Sequence, residues 1–255
     1  MRTDRVLLLT CDGVPGRIAA RYLAARFPAL AVVVENPVSR ALLLRRRIGR
    51  LGLARVGGQL AFMLFQRMQQ RAAKQRIAEI VRAAALEARW PDGSEIIRVA
   101  SVNSPQCIDH LRRLRPQAVL VVGTRIIARD VLRAVDAPFI NYHAGITPKY
   151  RGVHGGYWAR AEGDHGNFGV TVHLIDEGID TGDVLYQARL APTAKDNYST
   201  YPYLQLAAAL PLLERAARDA IAGTLRSEKS DLPSRQWSHP TLWHYIKIGW
   251  RSGVW

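Results

Sequence analysis

Short apolar runs alternate with stretches of helical spacing along most of this chain. Residues 5–10 (RVLLLT) form a compact apolar run with a turn signal, CDGVPG, directly behind it. Residues 17–27 (RIAARYLAARF) repeat apolar positions at three- and four-residue intervals, and residues 30–35 (LAVVVE) are short and β-branched. Strand, loop, helix, strand is a βαβ opening, which predicts a parallel sheet. The rhythm resumes at residues 96–100, where a strand is predicted. Next comes a helix whose start is marked by the Asn and Ser residues of SVNSPQ, then a strand over 117–122 that stops at Gly123. Residues 124–135 (TRIIARDVLRAV) are expected to form a short helix, and 139–143 (FINYH) another strand. Beyond a Pro- and Gly-rich loop, residues 169–175 alternate like a half-exposed strand, with 184–190 as its hairpin partner. Residues 203–222 read as a helix that Pro211 should kink or restart. The tail, 227–255, shows no clear period.

Residues 39–90 interrupt this pattern. They are rich in Arg, Ala, Leu and Gln, and predict one or two long helices with a break at Gly57-Gly58. The expected division is a catalytic domain over 1–190 carrying this basic helical insertion at about 39–90, followed by a C-terminal helix and aromatic-basic tail over 191–255.

Composition narrows the function classes. The chain has 255 residues, 48% hydrophobic and 22% charged, which suits a folded soluble protein with a sizeable core and argues against wholesale disorder. Cys11 and Cys107 stand far apart, in neither a disulfide framework nor a metal-ligand spacing. The opening MRTDRVLLLTCDG lacks a secretory signal, and no apolar run reaches the roughly 20 residues that span a bilayer. A cytoplasmic protein, peripheral to the membrane at most, is expected. Net charge is +15. Between residues 39 and 82 there are eleven basic residues and one acid, Glu79, so +10 of the +15 sits in one segment and +5 in the rest. Such a segment predicts an anionic partner without choosing among phosphate substrate, lipid surface and nucleic acid.

The candidate chemistry lies in residues 139–189. Asn141 and His143 are two apart on a predicted strand, so they share a face. Strand ends at the carboxyl edge of an open α/β sheet are where ligands bind. An Asn amide can donate to a developing oxyanion, and His can carry a proton either way. Asp180, in the Gly-rich turn DEGIDTGD, could set a carboxylate against the imidazole. By contrast, the turn CDGVPG does not fit the dinucleotide-binding G-x-G-x-x-G pattern.

NYHAGITPKYRG and GVTVHLIDEGIDTGDVLYQ, with VNSP and AVLVVGTRII upstream, resemble the 10-formyltetrahydrofolate-dependent formyltransferases. Within that family the sugar N-formyltransferases are the nearest match. The resemblance is strong from about residue 99 to 190, weak before residue 30 and in the tail, and absent through the basic insertion. It implies a Rossmann-like α/β fold with a mostly parallel central sheet, and a formyl donor, 10-formyltetrahydrofolate, with no metal. By position it implies Asn141, His143 and Asp180 as the catalytic trio. Arg125, Ile126 and Ile127 would hold the pterin, and Gly145, Ile146, Thr147 and Pro148 would flank the folate. Ile175 and Asp176 belong to the loop expected to close over it. Lys149, Tyr150 and Arg151 are expected on the acceptor side. His173 matches a second family histidine, for which a structural part is expected at least as much as a chemical one.

The acceptor is read from what is missing. CDGVPGRIA lacks the Ser and Asn donors of the glycinamide ribonucleotide formyltransferases, and the 65 residues after Leu190 are too few for the β-domain by which methionyl-tRNA formyltransferases hold tRNA. The expected partner is a small-molecule amine bearing phosphate, foremost an amino sugar linked to a nucleoside diphosphate, with no nucleic acid and with a homodimer among the expectations. The Arg-rich insertion and Trp-rich tail also suit contact with an anionic membrane surface and formylation of a membrane-associated amine. Three further readings stay open at this level: a glycinamide ribonucleotide-type enzyme, a hydrolase of the formyl donor, and a non-catalytic basic protein that binds nucleic acid.

Overall fold

A computed structural model describes residues 4–255; residues 1–3, which open the expected catalytic domain, lie outside the described residues. The elements run β1 (Val6–Cys11), α1 (Val14–Ala24), β2 (Ala31–Glu35), α2 (Arg40–Leu51), α3 (Leu53–Ala72), α4 (Lys74–Ala83), β3 (Glu95–Val99), α5 (Pro105–Leu114) and β4 (Ala118–Val122). They continue α6 (Arg129–Leu132), β5 (Phe139–His143), β6 (Arg151–Gly152), α7 (Gly155–Ala161), β7 (Gly169–Leu174), β8 (Val184–Arg189), α8 (Tyr201–Ala222), β9 (Gln236–Trp237) and α9 (Leu242–Ser252).

Seven strands form one sheet in the order β3-β2-β1-β4-β5-β7-β8. The first five in that order are parallel, and β7 runs antiparallel to both its neighbours. This is the mostly parallel α/β architecture that the sequence predicts. The period-2 pattern is visible in its two faces. Val6, Leu8, Val32, Leu120 and Ile140 pack with α1 and α8, while Leu7, Leu9, Val33, Val119 and Val121 pack with α5 and Val131. The chain runs outward from β1 in both directions, so the switch point falls between β1 and β4. The carboxyl ends of β4 and β5 open there, where ligands of such sheets sit.

A third, aromatic cluster joins the insertion to the tail. Phe62 of α3 lies against Tyr198 and Tyr245, both at 5.0 Å between ring centroids, and Trp158 stacks on Trp237 at 4.6 Å. The short parallel pair β6–β9 ties residues 236–237 to the loop after β5. Gly152 makes that pairing feasible: its φ is +94°, and a Cβ there would meet the Trp237 carbonyl at 2.3 Å.

Four local expectations are corrected. The insertion holds three helices, and its break falls at Gly52, with φ +79° and ψ 161°, instead of Gly57-Gly58. That backbone conformation is open to glycine almost alone, whereas Gly57 and Gly58 lie inside α3. A Cβ on Gly58 would stand 3.0 Å from Thr241 Cβ, so this glycine serves close helix–tail approach. Second, the helix expected over 124–135 is the four-residue α6, because Arg125 is drawn out into a loop by Glu35. Third, α8 runs unbroken through Pro211. The ring faces solvent, where the freed carbonyl one turn earlier can be hydrated, while Leu206, Leu210 and Leu213 hold the other face on the sheet. Fourth, the tail contains α9, capped by the Thr241 hydroxyl that accepts from the His244 amide at 3.3 Å.

Candidate active site

Three side chains from three adjacent segments converge at the carboxyl end of β5. Asn141 and His143 project from one face of that strand, as their spacing predicts, and both reach Asp180 in the loop between β7 and β8. Asn141 Nδ2 donates to Asp180 Oδ1 at 3.5 Å, and His143 Nδ1 lies 3.4 Å from Asp180 Oδ2. Asp180 adopts a left-handed φ of +51°, which turns its carboxylate back toward β5. The Gly152 amide donates to Asp180 Oδ2 at 2.9 Å, and Arg151 donates to the Ile179 carbonyl at 2.9 Å, so the β6 loop fixes the acidic turn from behind.

His173 joins the group through strand pairing, since it sits opposite Asn141 in the β5–β7 register. Its Nδ1 faces the Leu174 carbonyl at 2.7 Å. A carbonyl only accepts, so Nδ1 donates to it, and Nε2 is placed to accept from Asn141 Nδ2 at 3.1 Å. His173 therefore sets the direction in which the Asn141 amide points. His143 has acceptors at both nitrogens: Nε2 donates to the Tyr150 carbonyl at 2.6 Å, and Nδ1 faces Asp180.

These contacts pull the titrations apart. Burial by itself would raise the Asp180 carboxyl, but the His173 and His143 rings and the Gly152 N–H favour its charged form and hold it down at about 2. Burial lowers the His143 imidazole below its ordinary value despite the pull of Asp180 and the Tyr150 carbonyl.

A cavity of about 660 Å³ opens over this group. Asn141, His173 and Asp180 line its inner end; His143 is behind Asp180 and is not among the lining residues. One wall is apolar, made by Val121, Ile126, Ile127 and Ile175, with Asp176 at its edge. Arg125 is anchored beside it by Glu35, at 2.5 Å between the guanidinium and the carboxylate, and its own amide donates to Glu35 Oε1 at 2.7 Å. Ile126 is 61% exposed at the cavity mouth. Arg46, Arg47 and Arg50 of α2 and Gln59 of α3 line the same cavity as Asn141 and Asp180, together with Ser238 and His239. His239 Nδ1 and His154 Nε2 are 3.1 Å apart, and burial lowers both rings, His239 to about 4 and His154 to about 3.

Not every residue expected near the site faces the cavity. Thr147 and Pro148 border a smaller cavity of about 270 Å³ on the far side of Asp180. Ile146 is fully buried, and Gly145 packs so closely that a Cβ would meet the Tyr150 carbonyl at 2.6 Å. Lys149 pairs with Asp164 at 2.6 Å and the Tyr150 hydroxyl donates to the same carboxylate at 2.8 Å, so both are occupied within the protein. Conversely, sequence reasoning did not place Arg46, Arg47 and Arg50 or residues 236–239 at the site. Their signal was the arginine density of the insertion, which says nothing of which loop it would face.

A protein-family model described as formyl transferase matches residues 57–204 of this chain. A methionyl-tRNA formyltransferase from Pelotomaculum thermopropionicum is 41% identical over 91 residues, covering 35% of this chain and 29% of that protein, so the chain spans under a third of its relative. A sugar N-formyltransferase from a Shewanella species has the same fold, with a TM-score of 0.56 at 16% identity over 91% of this chain and 76% of the other. So does an N-formyltransferase from Helicobacter canadensis solved with folinic acid and dTDP-3-aminofucose, with a TM-score of 0.54 at 16% identity over 91% of this chain and 70% of the other. The family match begins at residue 57 and ends at 204, so Arg46, Arg47 and Arg50 lie before it, and Ser238 and His239 after it. The Asn141–His143–Asp180 group falls inside the match, and the chain belongs to the formyl transferase family.

Proposed function

We propose that this protein moves a formyl group from 10-formyltetrahydrofolate to the primary amine of an amino sugar linked to a diphosphate, of the kind that nucleoside diphosphate sugars present. The observation that carries the reading is the cavity itself, lined at once by an amide donor and a carboxylate, by apolar side chains and by three arginines. The residues fit the donor. A flat heteroaromatic ring suits Val121, Ile127 and Ile175, with the exposed Ile126 to cover it, and the Arg125 segment is held rigid by Glu35. When bound, the donor supplies an electrophilic formyl carbon.

The chain's own groups then divide the work. Asn141, aimed by His173, turns the N–H that reaches Asp180 only at 3.5 Å toward the oxygen on which negative charge grows. Asp180, ionised throughout the neutral range, accepts the proton that the attacking amine must lose and passes it to the nitrogen that leaves when the formyl C–N bond breaks. His143 shares that proton through its Nδ1 contact with Asp180, and its Nε2–H bond to the Tyr150 carbonyl keeps the ring in place. The acceptor's phosphates belong with Arg46, Arg47 and Arg50, whose guanidiniums suit bidentate anion recognition.

Incubation with 10-formyltetrahydrofolate and a panel of amino-sugar nucleotides, simple amines and lipid-linked amino sugars, scored by mass spectrometry, tests the reading. One formyl group should be gained by a phosphorylated amino sugar. His143→Ala and Asp180→Ala should each abolish the transfer with the fold intact. Near-normal turnover in the purified Asp180→Ala protein would remove the assignment.

A further inference from the structure

Helix α3 has two apolar faces, and only one of them is covered. Val56, Phe62 and the buried Gln59 and Gln66 face the tail and the aromatic cluster, where Phe62 meets Tyr198 and Tyr245. Leu60, Met63, Leu64 and Met68 fall at helical spacing on the other face and are 46%, 42%, 64% and 67% exposed. Leu43 and Leu44 of α2 are 40% and 36% exposed. Between the two helices Leu43, Leu44, Leu60, Met63 and Leu64 line a groove of about 320 Å³, which Arg67 also borders. Contiguous exposed apolar surface of this kind marks a binding site far more often than a bare face.

The groove is not separate from the catalytic cavity. Leu43, Arg47 and Gln59 line both, so the two spaces meet at those three side chains. Arg47 stands at the junction and Arg46 and Arg50 line the catalytic cavity, and among the described residues none of the three pairs with a carboxylate within 4.0 Å. Gln59, only 2% exposed, donates through Nε2 to the His239 carbonyl at 3.0 Å. Its Oε1 is buried with no hydrogen-bond partner among the described residues. A buried acceptor without a donor is expensive to keep. From inner end to outer end the sequence of surfaces is therefore polar, cationic, apolar.

That order matches one class of molecule. We propose that the acceptor is an amphiphile: its amine-bearing head group enters the catalytic cavity, its phosphates lie against Arg46, Arg47 and Arg50, and an aliphatic acyl or prenyl chain occupies the α2–α3 groove. The chain takes the place a nucleoside has in the acceptors named above. The proposal depends on the formyl-transfer reading only for the position of the amine. The α2 arginines, Leu43 and Leu44 precede the family match, whereas the α3 side of the groove, Gln59, Leu60, Met63 and Leu64, falls within its first residues, although the sequence resemblance was expected to be absent through the whole insertion.

Binding measured without a formyl donor separates the two readings. Titration calorimetry on the full chain would compare farnesyl diphosphate with inorganic diphosphate. Each methylene buried adds about four-fold to affinity, so even partial seating of the chain should make farnesyl diphosphate bind more than ten-fold tighter. Leu60→Glu with Leu64→Glu should reduce it to the affinity of inorganic diphosphate, and Arg46→Glu with Arg47→Glu should weaken both ligands. Leu64→Glu alone, at a more exposed site, should lower the preference in part and serves if the double variant unfolds. Equal affinity for the two ligands in the unaltered protein would overturn the proposal. So would an undiminished preference in a folded Leu60→Glu, Leu64→Glu variant, or apolar-face binding to vesicles with no ligand preference. If the amphiphile binds as described but no acceptor is ever formylated, the groove stands and the proposed reaction falls.

Discussion

Asp180 shows how a turn residue is conscripted by its neighbours. Its carboxyl is held at about 2, by the His173 and His143 rings and the Gly152 amide, against an ordinary value of 3.8. Because the folded value lies below the unfolded one, the ionised group stabilises the fold at and above pH 4. That contribution disappears as pH falls through about 4 toward 2. The shift corresponds to about 2 kcal/mol, at 1.36 kcal/mol per unit. Urea midpoints at pH 7 and pH 3 should therefore differ, and Asp180→Asn should narrow the gap by about 1 kcal/mol, the part of the contribution already lost by pH 3. An unchanged gap in Asp180→Asn would show that the carboxylate is not held by these contacts. Asn141, His143 and Asp180 were legible because strand alternation and a Gly-rich turn are local signals. The role of His173 as the acceptor that aims Asn141 was not, since it depends on the β5–β7 register and on a proton fixed by the Leu174 carbonyl.

At the scale of elements, the apolar runs of the sheet were legible almost to the residue, because buried parallel strands read as continuous β-branched stretches. The insertion was harder. A Gly-Gly pair inside an otherwise helical run reads as a break, yet α3 carries it and turns instead at the single Gly52. Propensity alone cannot separate a glycine that turns the chain from one that lets a neighbour approach. Substitution can. Gly57 has open space around its missing Cβ, so Gly57→Ala should stabilise the protein by about 0.5–1 kcal/mol through helix propensity. Gly52, at φ +79° and ψ 161°, should lose about 1–3 kcal/mol when changed to Ala. Thermal melts of the two variants should move in opposite directions, and a shift of the same sign would mean that the turn is misplaced. The tail helix α9 had its own signal, Thr241 as a cap and apolar residues at 242, 245 and 248. The exposed Trp243 and Trp250, at 72% and 81%, obscured the period.

For the molecule as a whole, charge and catalysis come from different parts of the chain. The catalytic stretch lies within the family match, whereas +10 of the net +15 lies in residues 39–82, largely ahead of the catalytic strands. The sequence made that surplus obvious and left its target open. The fold aims part of it, through Arg46, Arg47 and Arg50, at the cavity that Asn141 and Asp180 serve. The rest stays on helices that also expose Leu53, Leu64 and Met68, at 73%, 64% and 67%. Among the described residues no helix is long and apolar enough to cross a membrane. A face that is both basic and apolar still suits the plane of an anionic bilayer, where each arginine near the surface contributes about 1 kcal/mol. Screening shortens to about 8 Å at physiological salt and about 3 Å at 1 M, so the electrostatic share of such binding must fade across that range. The protein should therefore co-sediment with vesicles containing anionic lipid at low salt, bind neutral vesicles far less, and be largely released at 1 M salt. Replacing Arg67 and Arg71 with Glu changes the net charge by −4 on the helix that carries the exposed apolar stripe, and should shift the half-release point to markedly lower salt. Binding that ignores both salt and these substitutions would assign the +10 segment to the cavity alone.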